Sequence, residues 1–220
     1  MARKKSNFQN EYPYHVFNRA IDKKFFEIPM KELWELFCHQ AYSMSVIWNG
    51  KIHAAVLMHN HFHLVISTPD SNLGVCMQDF QSEVARGISR FLGSDGYRFS
   101  GRYKWSIIET EIYYRTLIRY VYQNPVRAGL ETIAQKYPYS TLSGIVGETE
   151  LKMPVIPHSF APDLADGNSE VLLPWVNEIY MPRELKVIRS GFRGAIYSPR
   201  LSKTTAWVRM HLRERKIIEV

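Results

Sequence analysis

Residues 57–68 read LMHNHFHLVIST, and this stretch decides how the rest of the chain is read. Its three histidines, His59, His61 and His63, fall at every second position in an otherwise apolar run. Alternate residues of a strand point to one face, so a strand here lines imidazoles along one side and packs Phe62, Leu64 and Ile66 on the other. The apolar neighbours Val56-Leu57-Met58 and Leu64-Val65-Ile66 predict a buried central strand. In such a place a histidine nitrogen needs a partner. Two neutral imidazoles two residues apart on a strand meet one divalent ion from the same side. The bare spacing is common on surface strands, and the apolar flanks are what single it out.

The sequence around this strand supplies its neighbours. Residues 13–21, PYHVFNRAI, are β-branched and aromatic and predict a strand. Residues 29–45 open with Pro29 and repeat Leu33, Trp34, Phe37 and Ala41 at helical spacing. Asn49-Gly50 predicts a tight turn between two short extended pieces over 46–58. Residues 75–93 form an amphipathic pattern closed by Gly93. A loop over 94–110 feeds another strand, and 111–124 is helical up to Pro125. The order β-α-β-β-α-β and a further helix predicts an α+β, ferredoxin-like split β-α-β sandwich with an antiparallel sheet. One face of that sheet would be covered by helices and the other left free to hold a site.

The second element that carries chemistry is RYVYQNPVRAG, residues 119–129. Tyr120 and Asn124 are four apart and so share one helix face. A tyrosine hydroxyl held against a bis-histidine metal has a specific use, because the metal polarises a phosphoryl oxygen while the phenolate attacks phosphorus. The same residues also suit a core aromatic and an asparagine closing a helix before proline. Tyr113, Tyr114 and Tyr122 compete as nucleophiles, but their i+4 residues are Leu117, Ile118 and Val126. Only Tyr120 has a polar partner one turn on.

Charge placement points to a polyanion. The net charge is +7 over 220 residues. Residues 183–220 hold ten Lys/Arg against three Glu, which is the whole excess, so the preceding 182 residues balance. A basic tail on a neutral body suits nucleic acid, the alternative being a solvated tail with no partner. Residues 146–182 are rich in proline and hold six acids against one lysine, which predicts an irregular connection. The organisation expected is a catalytic domain over 1–145, a Pro-rich acidic connection over 146–182, and a basic C-terminal extension over 183–220. Within that extension PRELKVIRSG predicts a short helix ended by Gly191 or Gly194. The N-terminal MARKKSNFQNEYPY has no apolar segment behind its basic start, no run approaches the roughly 18 residues of a membrane span, and the two cysteines, Cys38 and Cys76, predict reduced core positions. A cytoplasmic protein with no membrane association is expected.

Four ordered segments resemble one family. MHNHFHL resembles the M-P-N-H-x-H-L motif of the single-tyrosine HUH transposases, YHVFNRA their Y-H-V-x-N-R-G first strand, and SGRYKW their Q-G-R-Y-K segment. RYVYQNPVRAGL is similar to R-Y-I-x-x-N-P-V-R-A-G-L of the REP-associated tyrosine transposases, which act on short palindromic repeats. The resemblance spans about residues 12–145 and weakly 184–207. It implies His61 and His63 as metal ligands with Asn124 as a third, Tyr120 as nucleophile, and Mg²⁺ or Mn²⁺ as the ion. The implied reaction cuts single-stranded or hairpin DNA, keeps the 5′-phosphate on the tyrosine and frees a 3′-hydroxyl. Arg3, Lys4, Lys5, Asn18, Arg19, Arg102, Lys104, Arg119 and Arg127 are the expected DNA contacts. Tyr97, Phe99, Tyr103 and Trp105 either stack on unpaired bases or belong to the core. This sequence departs from the pattern at His59, where the family has proline, at Ala20 for Gly, and at Ser100 for Gln. His59 reads as an exposed residue at the strand's start, with a spare ligand or proton carrier as the alternatives. A non-cleaving hairpin-binding module and a replication- or relaxase-type HUH nuclease are the competing functions. A monomer and a homodimer are both open.

Overall fold

The computed structural model describes residues 8–164, 169–199 and 213–216. It is an α+β fold built on a four-stranded antiparallel sheet in the order β2-β3-β1-β4. The strands are β1 (Tyr14–Arg19), β2 (Lys51–Leu57), β3 (His61–Ser67) and β4 (Lys104–Ile107). Helix α1 (Met30–Ile47) joins β1 to β2, and α2 (Leu73–Leu92) joins β3 to β4. This is the expected split β-α-β order, and β3 is central.

Alternation along the strands sorts two cores. Tyr14, Val16, Phe62, Leu64 and Ile66 face α1 and α2, which contribute Leu33, Phe37, Ala41 and Met44 and Leu73, Met77, Phe80 and Val84 at helical spacing. Each fully buried large aliphatic here contributes about 1.5–3 kcal/mol. Cys38 and Cys76 are free and buried in this core, and burial pushes both thiols up to about 12. Helix α2 ends where expected, on Gly93 with φ 61°.

Two local expectations are corrected. Asn49-Gly50 does not turn a hairpin: α1 continues to Ile47, and Asn49 at φ 55° only redirects the chain into β2. The apolar tail of α1 packs as a helix because Ala41 and Met44 extend its buried stripe. The second correction concerns the far face of the sheet, which is mostly covered rather than free. Helix α3 (Glu111–Tyr122), started by the Thr110 side chain accepting from the Tyr113 N–H, lies there with the short helices α4 (Asn124–Arg127) and α5 (Thr141–Ile145).

The connection over 146–182 is not wholly irregular, since it contains α6 (Ser169–Asn177), which tolerates Pro174 inside it. It is followed by α7 (Pro182–Gly191). Leu172, Val176, Tyr180, Ile188 and Tyr197 pack into one cluster with Ala54, Val56, Leu117 and Val121. Beyond α7 the chain lies along the open edge of β4: Ile107 N donates to the Ala195 carbonyl, and Tyr197 N to the Ile107 carbonyl, both at 2.8 Å. No described helix is long and apolar enough to cross a membrane.

Candidate active site

Antiparallel pairing of β1 and β3 sets Phe17 opposite His63 and Arg19 opposite His61. His15, Phe17, Arg19, His61 and His63 therefore share the face that looks away from α1 and α2. Between this face, α3 and the chain after α7 lies a cleft of about 930 Å³. His61, His63, Tyr120 and Asn124 all line it, with Arg19 and Lys104 at the rim. The structure thus brings together all four residues expected at the centre of the site.

The row of imidazoles is not the one the spacing suggests. His59 lies in the turn before β3, its ring 5.3 Å from that of Phe25, outside the cleft lining. The third imidazole is His15, on the adjacent strand, whose Nε2 stands 2.8 Å from His63 Nδ1. Its signal was present, since Tyr14 and Val16 are apolar and the residues between and after them must turn to the other face. His61 Nδ1 is 2.7 Å from Asn60 Oδ1. Burial pushes His15 down to about 3. His61 goes down to about 4, mainly by burial with help from Arg19 and Arg127. His63 is lowered well below its usual range, first by burial and then by its charged and imidazole neighbours. All three are neutral bases at ordinary pH.

Tyr120 sits in the last full turn of α3, and Asn124 opens α4. Pro125 has no N–H to give the carbonyl of Val121. The Asn124 side-chain nitrogen takes its place, donating to the Val121 carbonyl at 3.2 Å and to that of Tyr120 at 3.1 Å. That fixes the carboxamide and leaves its oxygen without a hydrogen-bond partner among the described residues. Tyr120 is 7% exposed. Its ring stands 6.0 Å from that of His63 and 5.3 Å from Phe192, a residue of the chain after α7.

The expected DNA contacts divide. Arg19, Arg102 and Lys104 are exposed and line a second, smaller cleft that shares Phe17, Arg19 and Lys104 with the first. Asn18 lines that second cleft as well, its side-chain nitrogen donating to the Gly101 carbonyl. Arg119 is not at the site: it is buried, ion-paired with Glu178, and its guanidinium lies 4.2 Å from the Tyr180 ring and 5.8 Å from that of Trp175. Arg127 is at the site, held on the Tyr120 ring. Arg3, Lys4 and Lys5 lie outside the described residues. Arg189 and Arg193, exposed on α7 and just after it, line the main cleft, whereas the sequence places them only within the basic extension over 183–220. Tyr97 is 86% exposed, whereas Tyr103 is core.

Among the described residues no three of His, Cys, Asp and Glu cluster at metal-ligand spacing. The donor set is instead two neutral imidazoles and a carboxamide oxygen. It fits a divalent ion whose remaining positions are filled by oxygens from outside the chain.

No protein-family model and no curated protein matches this chain. Among solved structures, a REP-associated tyrosine transposase bound to a REP hairpin is similar with TM-score 0.56 and 17% identity, over 72% of this chain and 96% of that one. A candidate transposase from Deinococcus radiodurans is similar with TM-score 0.38 and 11% identity, over 60% of this chain and 94% of that one. The first likeness establishes a shared fold.

Proposed function

We propose that this chain is a metal-dependent strand transferase that cuts and rejoins single-stranded, hairpin-forming DNA through a covalent link to Tyr120. The reading is carried by the convergence in one cationic cleft of His61 and His63 from β3 with Tyr120 and Asn124 from α3 and α4. Mg²⁺ or Mn²⁺ held by His61, His63 and Asn124 would supply neutralisation of charge at a phosphoryl oxygen.

The chain's own groups account for the rest. The Tyr120 hydroxyl loses its proton and its oxygen attacks phosphorus, the bond from phosphorus to the 3′-oxygen breaks, and that oxygen takes up a proton. The 5′-phosphate stays on Tyr120 and a 3′-hydroxyl is released. One phosphodiester replaces another, so a 3′-hydroxyl attacking the phosphotyrosine rejoins DNA with no outside energy source. Arg19, Lys104, Arg189 and Arg193 at the rim suit flanking phosphates, and Phe17 and Trp105 in the lining suit unpaired bases. The fold shared with a transposase solved on a REP hairpin supports hairpin DNA as the partner.

The test is incubation of the protein with labelled single-stranded hairpin oligonucleotides and Mn²⁺. The expected product is a protein–DNA adduct that survives denaturation and is abolished by His61→Ala or by chelator. The low exposure of Tyr120 beneath Phe192 favours one other reading, a hairpin-binding module that does not cut. Tight binding without adduct, across varied hairpins and metals, would establish that reading instead.

A further inference from the structure

Each imidazole facing the cleft has one nitrogen engaged behind it. Asn60 donates its side-chain nitrogen to the Lys23 carbonyl at 3.1 Å and turns its oxygen to His61 Nδ1 at 2.7 Å. A carbonyl oxygen only accepts, so the Lys23 bond fixes which end of the amide points where. The amide oxygen also only accepts, so the hydrogen is on His61 Nδ1 and the Nε2 lone pair is left bare.

His63 Nδ1 and His15 Nε2 are 2.8 Å apart, with the rings within 13° of parallel. Only donation from His63 to His15 leaves a lone pair on His63 Nε2. His15 then carries its own hydrogen on Nδ1, a buried atom with no hydrogen-bond partner among the described residues. An unpaired buried donor costs about 1–3 kcal/mol. A phenylalanine would avoid that cost in a pocket already walled by Phe17 and Phe192, whose rings lie 5.5 and 4.5 Å from His15. Packing therefore does not explain an imidazole at this position, and what it supplies is an acceptor behind His63.

We propose that Asn60 and His15 are positioning residues that hold His61 and His63 as Nδ1–H tautomers, so that both Nε2 lone pairs serve one divalent cation. The inference rests on the metal-dependent reading above and adds the groups that make the pair competent. The ligand rings, 5.2 Å apart and nearly perpendicular, would otherwise rotate and exchange tautomers independently. Partners of this kind change metal affinity by about 10–100-fold when removed. Asn60 is in turn anchored to a turn where Asp22 and Lys23 both have positive φ, 55° and 59°, so the support behind His61 begins in constrained backbone.

The experiment is direct Mn²⁺ binding to the full chain without DNA, followed by electron paramagnetic resonance, with folding checked by circular dichroism. Asn60→Ala and His15→Phe should each weaken binding about 10–100-fold. Asn60→Asp and His15→Gln keep an oxygen acceptor and should recover most of it. Long-range proton–nitrogen spectra of the imidazoles give a second readout: His61 and His63 should be Nδ1–H in the Mg²⁺-loaded protein, and His61 should lose that single form in Asn60→Ala. Unchanged Mn²⁺ affinity in Asn60→Ala and His15→Phe, where His61→Ala binds poorly, would overturn the inference. Wild-type affinity in His61→Ala would overturn the metal reading itself. The tautomer of His61 in wild type and Asn60→Ala would then still decide whether Asn60 positions it.

Discussion

The guanidinium of Arg127 lies 4.2 Å from the centre of the Tyr120 ring, and its Nη1 donates to the Tyr120 carbonyl at 3.0 Å. The expected nucleophile is thus clamped at its face and at its backbone by one side chain seven residues on. Burial lowers the pKa of this arginine, and its contact with Tyr120 partly opposes that. Its Nε and Nη2 have no hydrogen-bond partner among the described residues, which leaves donors unspent beside Tyr120.

Arg127→Ala should lose about 0.5–2 kcal/mol of cation–π attraction and about 1 kcal/mol for the hydrogen bond. Adduct formation should fall at least about tenfold if the clamp sets the aim of the tyrosine. Arg127→Lys should not restore it, because an ammonium lacks the planar face that stacks on the ring. Thermal unfolding and single-turnover adduct rates check both effects, and a variant normal in both would make Arg127 a bystander.

Arg119 is a structural cation. Arg119→Ala removes the pairing with Glu178 and the stacking on Tyr180 and should destabilise the fold by about 1–3 kcal/mol, less than a fully buried pair because Glu178 is half exposed. The salt dependence of DNA binding should not change. A shallower salt slope would return Arg119 to the DNA interface.

Alanine at Arg19, Arg102, Lys104, Arg189 or Arg193 should each make the plot of log affinity against log salt shallower by about 0.7, the single-strand value per phosphate contact. Deleting 183–220 is not an equivalent test, since Val187, Ile188 and Tyr197 belong to the core. Unaltered slopes for all five would place the DNA elsewhere.

Acid should unfold this protein early. Burial holds His15 at about 3 and His53 and His61 at about 4, although the bond from His53 to the Ile156 carbonyl works in the other direction. The unfolded imidazoles take protons near 6.5, so between there and about 4 the unfolded state binds more of them. Metal-free stability should be full above about pH 6.5 and fall by about 1.4 kcal/mol per pH unit for each such group as pH drops. His53→Gln, outside the cleft lining, should make that fall shallower. Equal pH slopes in the two proteins would show that His53 does not titrate in this way.

What was legible in the sequence was local. The alternation of His61 and His63 with Phe62 and Leu64, and the one-turn spacing of Tyr120 and Asn124, put each pair on one face before any contact is known. Less legible was whatever depends on register between distant segments. His15 reaches His63 only because β1 pairs with β3, and His59 misses the cleft only because β3 begins two residues after it. Asn49-Gly50 carries hairpin chemistry, yet the helical stripe before it prevailed. Arg119 reads as basic and surface-seeking until Trp175, Tyr180 and Glu178, far along the chain, close over it. The apolar cover supplied by Ala161, Leu172, Val176, Tyr180, Ile188 and Tyr197 was hidden by the prolines and acids around it.

The central claim is that Tyr120 forms the covalent bond to DNA, and mapping the phosphotyrosine tests it most directly. Cleavage after Arg119 and Arg127 releases the peptide YVYQNPVR, which contains both Tyr120 and Tyr122. Tyr122 is buried, and its hydroxyl shares a hydrogen bond with Thr141 at 3.1 Å on the far side of the helix from the cleft lining. Nuclease-trimmed adduct, digested and fragmented in a mass spectrometer, should carry its nucleotide on Tyr120. A nucleotide on Tyr122 or on any other residue would contradict the account.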